Sequence, residues 1–329
     1  MTMKTKIVIC LGALLAVAAT NVLIKQVMSP RAKLTIKVLD EAGHPFPNAT
    51  VQLNFRDAIT REGKVVEGKT DADGLFSGEG GSDGQIGGSV RLDGYYMSGF
   101  PFKPFTAVEN GRWQPWNVTY TTTLRPIGKP IALFARKVQT HVPVLDQPCG
   151  YDLKVGDWVS PYGNGNTADF IFTISRELRS ALDFDARADL TFTNPQDGLQ
   201  QASVPAVGSH SALKWERFAP DEGFEPRLQI RNAWFPPESG RQPIRSFKGQ
   251  DEWQGYFFRV RSLKQGDKII SAHYGKIRGD IAIDPRDSKT CALLFTYYFN
   301  PTPLDRNLEW NTKSNLFSGL SWQETPRDP

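Results

Sequence analysis

Strict two-residue alternation, repeated in short blocks, restricts this chain to sheet structures. Leu34, Ile36 and Val38 alternate with Thr35 and Lys37, and Val51, Leu53 and Phe55 alternate with Gln52 and Asn54. Such spacing turns the apolar side chains to one face of a strand and the polar ones to the other. The period recurs at Val118, Tyr120 and Thr122, at Phe170, Phe172 and Ile174, at Leu190 and Phe192, and at Leu228 and Ile230. Residues 254–261 and 290–299 are the most strand-like, and the second block is apolar on both faces, which assigns it to the middle of a packed sheet. With 29 Gly and 23 Pro to punctuate these short elements, an all-β chain is expected. Only residues 175–185 show helical spacing, through Ile174, Leu178 and Leu182 at i, i+4 and i+8.

The first strand ends at Asp40, a turn carries Gly43 and Pro45, and a second strand starts at Ala49. Thr70-Asp71-Ala72-Asp73-Gly74-Leu75-Phe76 and Val90-Arg91-Leu92-Asp93-Gly94-Tyr95 come next. This order of strands and turns resembles a carboxypeptidase regulatory-like domain, the transthyretin-like β-sandwich. The resemblance covers residues 33–138, with residues 130–135 as a closing strand. It implies a scaffold or binding accessory with no catalytic residues of its own. Residues 139–329 resemble no characterised family and read as a larger antiparallel β-sandwich or jelly-roll, entered through a proline-punctuated linker over residues 141–148.

Lys4 and Lys6 precede an apolar run from Ile7 to Ala19, the pattern of an export signal. Ala16-Val17-Ala18 offers a cleavage site, yet the apolar stretch continues weakly to Ile24, about the length of a membrane-spanning helix. Residues 1–28 are thus either a signal peptide or an uncleaved signal-anchor, and membrane contact is expected only through residues 7–24. Both readings export the remainder of the chain, to the periplasm, the exterior or the outer face of the membrane. Three of the 39 basic residues (Lys4, Lys6 and Lys25) lie in the leader, leaving 36 basic against 35 acidic residues. That balance excludes nucleic acid, which requires clustered uncompensated Lys and Arg. Beyond the leader only Cys149 and Cys291 remain. Export permits a disulfide between them, while Cys291, inside an apolar strand pattern, also suits a buried free thiol.

No familiar catalytic or cofactor motif emerges. His44, His141, His210 and His273 show no metal-ligand spacing, and the Gly-rich stretch 78–88 lacks the Gly-Lys-Ser/Thr ending of a phosphate loop. That stretch reads as a flexible hairpin connection, and Asp71, Asp73 and Asp83 fail the calcium-loop pattern, since the twelfth position from Asp71 is Ser82. Neither metal nor cofactor is expected. Paired carboxylates for a carbohydrate-active hydrolase remain the alternative, with Asp183, Asp185 and Asp189, Asp251 and Glu252, or Asp305 and Glu309 as candidates.

Tryptophan is the more suggestive feature. All eight lie beyond residue 112, several of them beside polar or turn residues, as at Trp234 in Asn232-Ala233-Trp234-Phe235-Pro236 and Trp253 in Asp251-Glu252-Trp253-Gln254. A flat apolar ring flanked by hydrogen-bonding groups is what a sugar ring requires. The segment Asp305-Arg306-Asn307-Leu308-Glu309-Trp310 is dense in polar chemistry and reads either as a ligand or ion cluster or as the brace of a long loop. These residues point to an exported, envelope-associated binding or structural protein without intrinsic catalysis, whose expected partners are a polysaccharide or another envelope protein.

Overall fold

In the strand Arg31–Leu39, Ala32, Leu34, Ile36 and Val38 are all fully buried, as alternation requires of a sheet packed on one face. This is a computed structural model, and it describes residues 29–205, 210–245, 254–287 and 289–329. The leader, residues 1–28, lies outside them. Among the described residues no helix is long and apolar enough to cross a membrane. The architecture is all-β, and the described residues divide into two units: 29–127 with 210–212, and the described residues of 128–205 and 213–329.

In the first unit, Arg31–Leu39 pairs parallel with Val118–Thr123 and antiparallel with Leu75–Gly81. A second, wholly antiparallel sheet runs Gly63–Lys69, Thr50–Arg56, Ile86–Arg91, Ser98–Phe102. The two sheets share one core, in which Leu34, Ile36 and Val38 meet Val51, Leu53, Phe55, Ile86 and Val90. The Gly-rich stretch is not a loose connection. It forms the end of one strand and the start of another, crossing from sheet to sheet between Gly81 and Ile86. A β-carbon at Gly78 would lie 2.6 Å from Leu53 Cδ1, and one at Gly80 would lie 2.7 Å from Phe55 Cγ. Glycine lets a strand approach large core side chains that a side chain of its own would displace. Asp71 accepts backbone N–H bonds from Asp73 and Leu75, and Asp83 pairs with Arg61, so these carboxylates close turns.

The unit boundary at residue 127 differs from the expected 138. The strand Phe134–His141 pairs with Ala292–Phe299, from Phe134 opposite Phe299 to His141 opposite Ala292, and so belongs to the second unit. Nor is the stretch after it a linker. Val142 is fully buried, and its N–H bonds Cys291 O, so these prolines end a core strand instead of separating domains.

The second unit has two antiparallel sheets. One runs Phe134–His141, Ala292–Phe299, Lys268–Asp284, Gln254–Gln265, Gly198–Ser203. The other runs Asp157–Trp158, Pro148–Asp152, Phe170–Ser180, Asp183–Thr191, Arg227–Trp234, Ile244–Arg245. Residues 175–185, with helical spacing in the sequence, form a hairpin between Phe170–Ser180 and Asp183–Thr191. A spacing of four is also a multiple of the strand period of two, and Leu178 and Leu182 are exposed. Their apolar character therefore reports no helix face. Cys149 and Cys291 are buried and unbonded, which corrects the disulfide. The Cys149 thiol lies 3.8 Å from Val144 O and that of Cys291 lies 3.6 Å from Ala292 O, so each engages its own segment. Burial raises both thiols, Cys291 to about 12.

The two sheets of this unit are tied by Arg261. It sits at φ 56°, where the strand Gln254–Gln265 slips in register. Its guanidinium donates from Nε to Asp169 Oδ1 at 2.7 Å, and from Nη2 to Asp169 Oδ2 at 2.8 Å and to Asp152 Oδ1 at 2.9 Å. Its N–H and that of Ser262 bond Asp197. Burial works against the Asp152 carboxylate, but the N–H groups of Asn166, Val155 and Thr167 together with Arg261 outweigh it and hold the group below its usual 3.8.

Two outcomes are expected. Gly80→Val, which forces a branched side chain against Phe55, should cost about 1–3 kcal/mol in urea unfolding. Arg261→Gln strands two buried carboxylates and should cost about 3–5 kcal/mol. Because Asp152 has a lowered folded pKa, its stabilisation is complete above 3.8 and is lost as pH falls through the folded value. Asp152→Asn should therefore melt lower than the parent at pH 7, with the difference shrinking below pH 3.8; an unchanged gap on acidification would refute this.

Candidate functional site: a tryptophan-walled cavity

Six strands of the second unit converge on a cavity of about 640 Å³, within the size range of small-molecule sites. Trp234 stands in its wall at the last residue of Arg227–Trp234, opposite Phe184 in the neighbouring strand. Half-buried, its ring keeps one side on the cavity. The short edge strand Ile244–Arg245 pairs with Asn232 and Ala233, which carries the Arg245 guanidinium to 5.3 Å from the Trp234 ring centroid. A guanidinium at that distance is attracted by the ring quadrupole and is held beside the aromatic face.

The facing wall comes from Lys268–Asp284. Its pairing with Ala292–Phe299 passes from Arg278 opposite Thr296 to Ala282 opposite Leu294, so two extra residues bulge from the long strand. Gly279, at φ 74°, makes that bulge, a device that redirects side chains at a sheet margin. Asp280, Asp284, Arg286 and Arg278 line the cavity from this side, above a floor that includes Phe184, Ile283 and Phe295. Lys137 and Thr296 add polar groups from the adjoining strands. Asn232 ties the walls together, donating to Ile283 O at 2.8 Å.

Much of the charge in the cavity is internally matched. Arg286 grips Asp284 through two bonds, of 2.8 and 2.7 Å, and Arg278 bonds Asp328. The Arg286 hydrogen bonds hold the Asp284 carboxyl below its usual range, against the opposing effect of burial. Arginine-bound carboxylates stay ionised and make poor proton donors, whereas a glycosidase needs one protonated carboxyl.

Of the described residues expected to bind, only Trp234 reaches this cavity. Trp253, with Asp251 and Glu252, lies outside the described residues. The segment 305–310 serves as a brace. Trp310 is fully buried, donates to Ser314 O at 3.1 Å and meets Tyr298 edge-on. Glu309, 1% exposed, accepts the N–H groups of Gly128 and Lys129 at 2.8 and 3.0 Å and lies 3.6 Å from Arg217 Nε. Asn307 donates to Lys129 O and Arg306 to Ala219 O, while Asp305 accepts the Asn307 N–H. These side chains thus brace the segment, several of them against residues 128–129 and 217–219. The other acidic candidates are likewise occupied, Asp183 by Arg179, Asp185 by Arg231 and Asp189 by Arg227. Among the described residues no three His, Cys, Asp or Glu side chains gather as a metal site.

The cavity residues Lys137, Arg245 and Arg286 escaped sequence reasoning because they come from strands far apart in the chain. The single local trace was Asp284-Pro285-Arg286, a charged turn directly after an apolar strand.

Comparison with known proteins gives little beyond this geometry. No protein-family model and no curated protein matches the chain. Among solved structures, 3-chlorocatechol 1,2-dioxygenase from Rhodococcus opacus 1CP overlaps at 13% identity and a TM-score of 0.24, over 30% of this chain and 61% of that one. A streptococcal ancillary pilin overlaps at 12% identity and 0.20, over 44% and 53%. The major pilin SpaD from Corynebacterium diphtheriae overlaps at 12% identity and 0.24, over 79% of this chain and 70% of that one. The chain thus spans under two thirds of the first two of these structures, and scores this low assign no fold family.

Proposed function

We propose that this chain is an exported protein of the cell envelope that binds a glycan in the Trp234 cavity and performs no chemistry on it. The observation that carries the proposal is a half-buried indole in the wall of a 640 Å³ cavity, with Arg245 beside its ring and charged groups facing it. A sugar ring presents an apolar face for stacking and an equatorial girdle of hydroxyls for hydrogen bonding. The cavity offers one partner for each: the Trp234 ring for the face, and Asp280, Thr296 and the paired arginines and aspartates for the girdle. Export rests on the leader pattern of residues 1–28, which allows a secreted chain or one held by residues 7–24. The first unit then serves as an accessory scaffold of the carboxypeptidase regulatory-like kind.

The test is a glycan screen with the full-length chain, followed by Trp234→Ala on every hit. A stacking anchor of this kind contributes on the order of 2 kcal/mol, so affinity should fall about 30-fold. The melting temperature should stay close to that of the parent, since Trp234 is only half-buried at the end of its strand. Binding untouched by the substitution, or no binding in the screen, rejects the proposal.

A further inference from the structure

The cavity does not end at Lys137. A second hollow, of about 330 Å³, is lined by Lys137, Gln139, Trp322, Gln323 and Arg327. Three of these, Lys137, Gln139 and Gln323, also line the Trp234 cavity, so the two hollows adjoin. Trp322 is 70% exposed, the most open large apolar side chain among the described residues. An indole so exposed gains nothing from the core. The segment bearing it is nevertheless well anchored. Glu324 accepts from Arg136 at 2.5 Å and from the Ser321 hydroxyl at 2.8 Å, and the Lys137 N–H bonds Glu324 O at 2.7 Å. Trp322 is therefore presented on a fixed turn, with the Arg327 guanidinium 5.8 Å from its ring.

The two hollows repeat one arrangement: an indole, a guanidinium over one side of its ring, and Lys137 between. Their charge is unbalanced. Five cations line them, Lys137, Arg245, Arg278, Arg286 and Arg327, against the carboxylates Asp280, Asp284 and Asp328. Arg286 and Arg278 are matched by Asp284 and Asp328. Lys137, Arg245 and Arg327 have no carboxylate within ion-pair distance among the described residues, and the second hollow contains no acidic group. Cations held at stacking surfaces without a neutralising carboxylate leave a standing positive potential along the groove, which favours an anionic ligand.

We propose, resting on the glycan reading above, that the ligand is an acidic polysaccharide. At least two of its sugar rings stack on Trp234 and Trp322, and its carboxylate or sulfate groups lie along Lys137, Arg245 and Arg327. A chain shorter than this groove engages one indole and forfeits the other.

Matched hexasaccharides titrated against the full-length chain test this: galacturonan against its methyl ester, and cello-oligosaccharide against its 6-carboxyl form. The acidic member of at least one pair should bind about tenfold tighter at low ionic strength, with the preference shrinking as salt screens it. Lys137→Gln with Arg327→Gln should abolish the preference between the acidic and neutral members of a pair. Trp322→Ala should weaken both members of the pair about tenfold without changing the melting temperature. Equal affinity for acidic and neutral members, or a preference that survives the double substitution, overturns the acidic assignment while the glycan reading stands. Trp322→Ala without effect overturns the second stacking site. If no hexasaccharide binds, both proposals fall.

Discussion

The second unit depends on one half-buried guanidinium. Arg261 reaches from the sheet containing Gln254–Gln265 to Asp169 and Asp152, which flank the strands of the other sheet. Two partners of opposite charge are expensive to desolvate, and such a pair adds stability only where each remaining lone pair finds a donor. Here Asp152 Oδ2 accepts the Asn166 and Thr167 N–H groups, Asp152 Oδ1 those of Lys154 and Val155, and Asp169 that of Leu153. The left-handed backbone at Arg261 is the local cost of aiming the side chain inward. Hydrophobic contact alone brings sheets together without fixing their register. A bidentate Arg–carboxylate contact does fix it, because its geometry tolerates little sliding.

That register matters at the other end of the same sandwich. The wall opposite Trp234 is a bulge in a 17-residue strand, and the Asn232 bond to Ile283 O couples the two sheets beside it. The cavity walls are thus strands held by core packing and cross-sheet bonds. Most of the groups offered to a ligand are in place before it arrives, so little ordering entropy remains to oppose binding. The first unit keeps its sheets together by different means, with glycines at 78 and 80 letting Leu53 and Phe55 press close.

Much of this architecture was legible in the residues. Leu34, Ile36 and Val38 announced a one-sided strand, and residues 290–299, apolar on both faces, occupy an interior position between Phe134–His141 and Lys268–Asp284. What misled was local. Ile174, Leu178 and Leu182 satisfy both a helix and a strand, and only the partner strand Asp183–Thr191 decides between them. Residues 130–135 looked like the close of one domain because strand pattern carries no address. The polar run from Asp305 to Trp310 resembled a site because a loop brace and a ligand cluster draw on the same side chains, and only their hydrogen-bond partners tell them apart. Trp234 was identifiable as an indole beside polar groups. Its companions Lys137, Arg245 and Arg286 converge only through sheet pairing, which no short window of sequence contains.

The two buried thiols bear on how the folded protein meets an oxidant. Attack on an oxidant requires a thiolate, and burial pushes the Cys291 thiol to about 12 and raises that of Cys149. Neither sulfur is then a competent nucleophile in the folded state. Cys149 and Cys291 can therefore pass from reducing to oxidising surroundings unchanged while the chain stays folded. Folding itself acts as the protecting group.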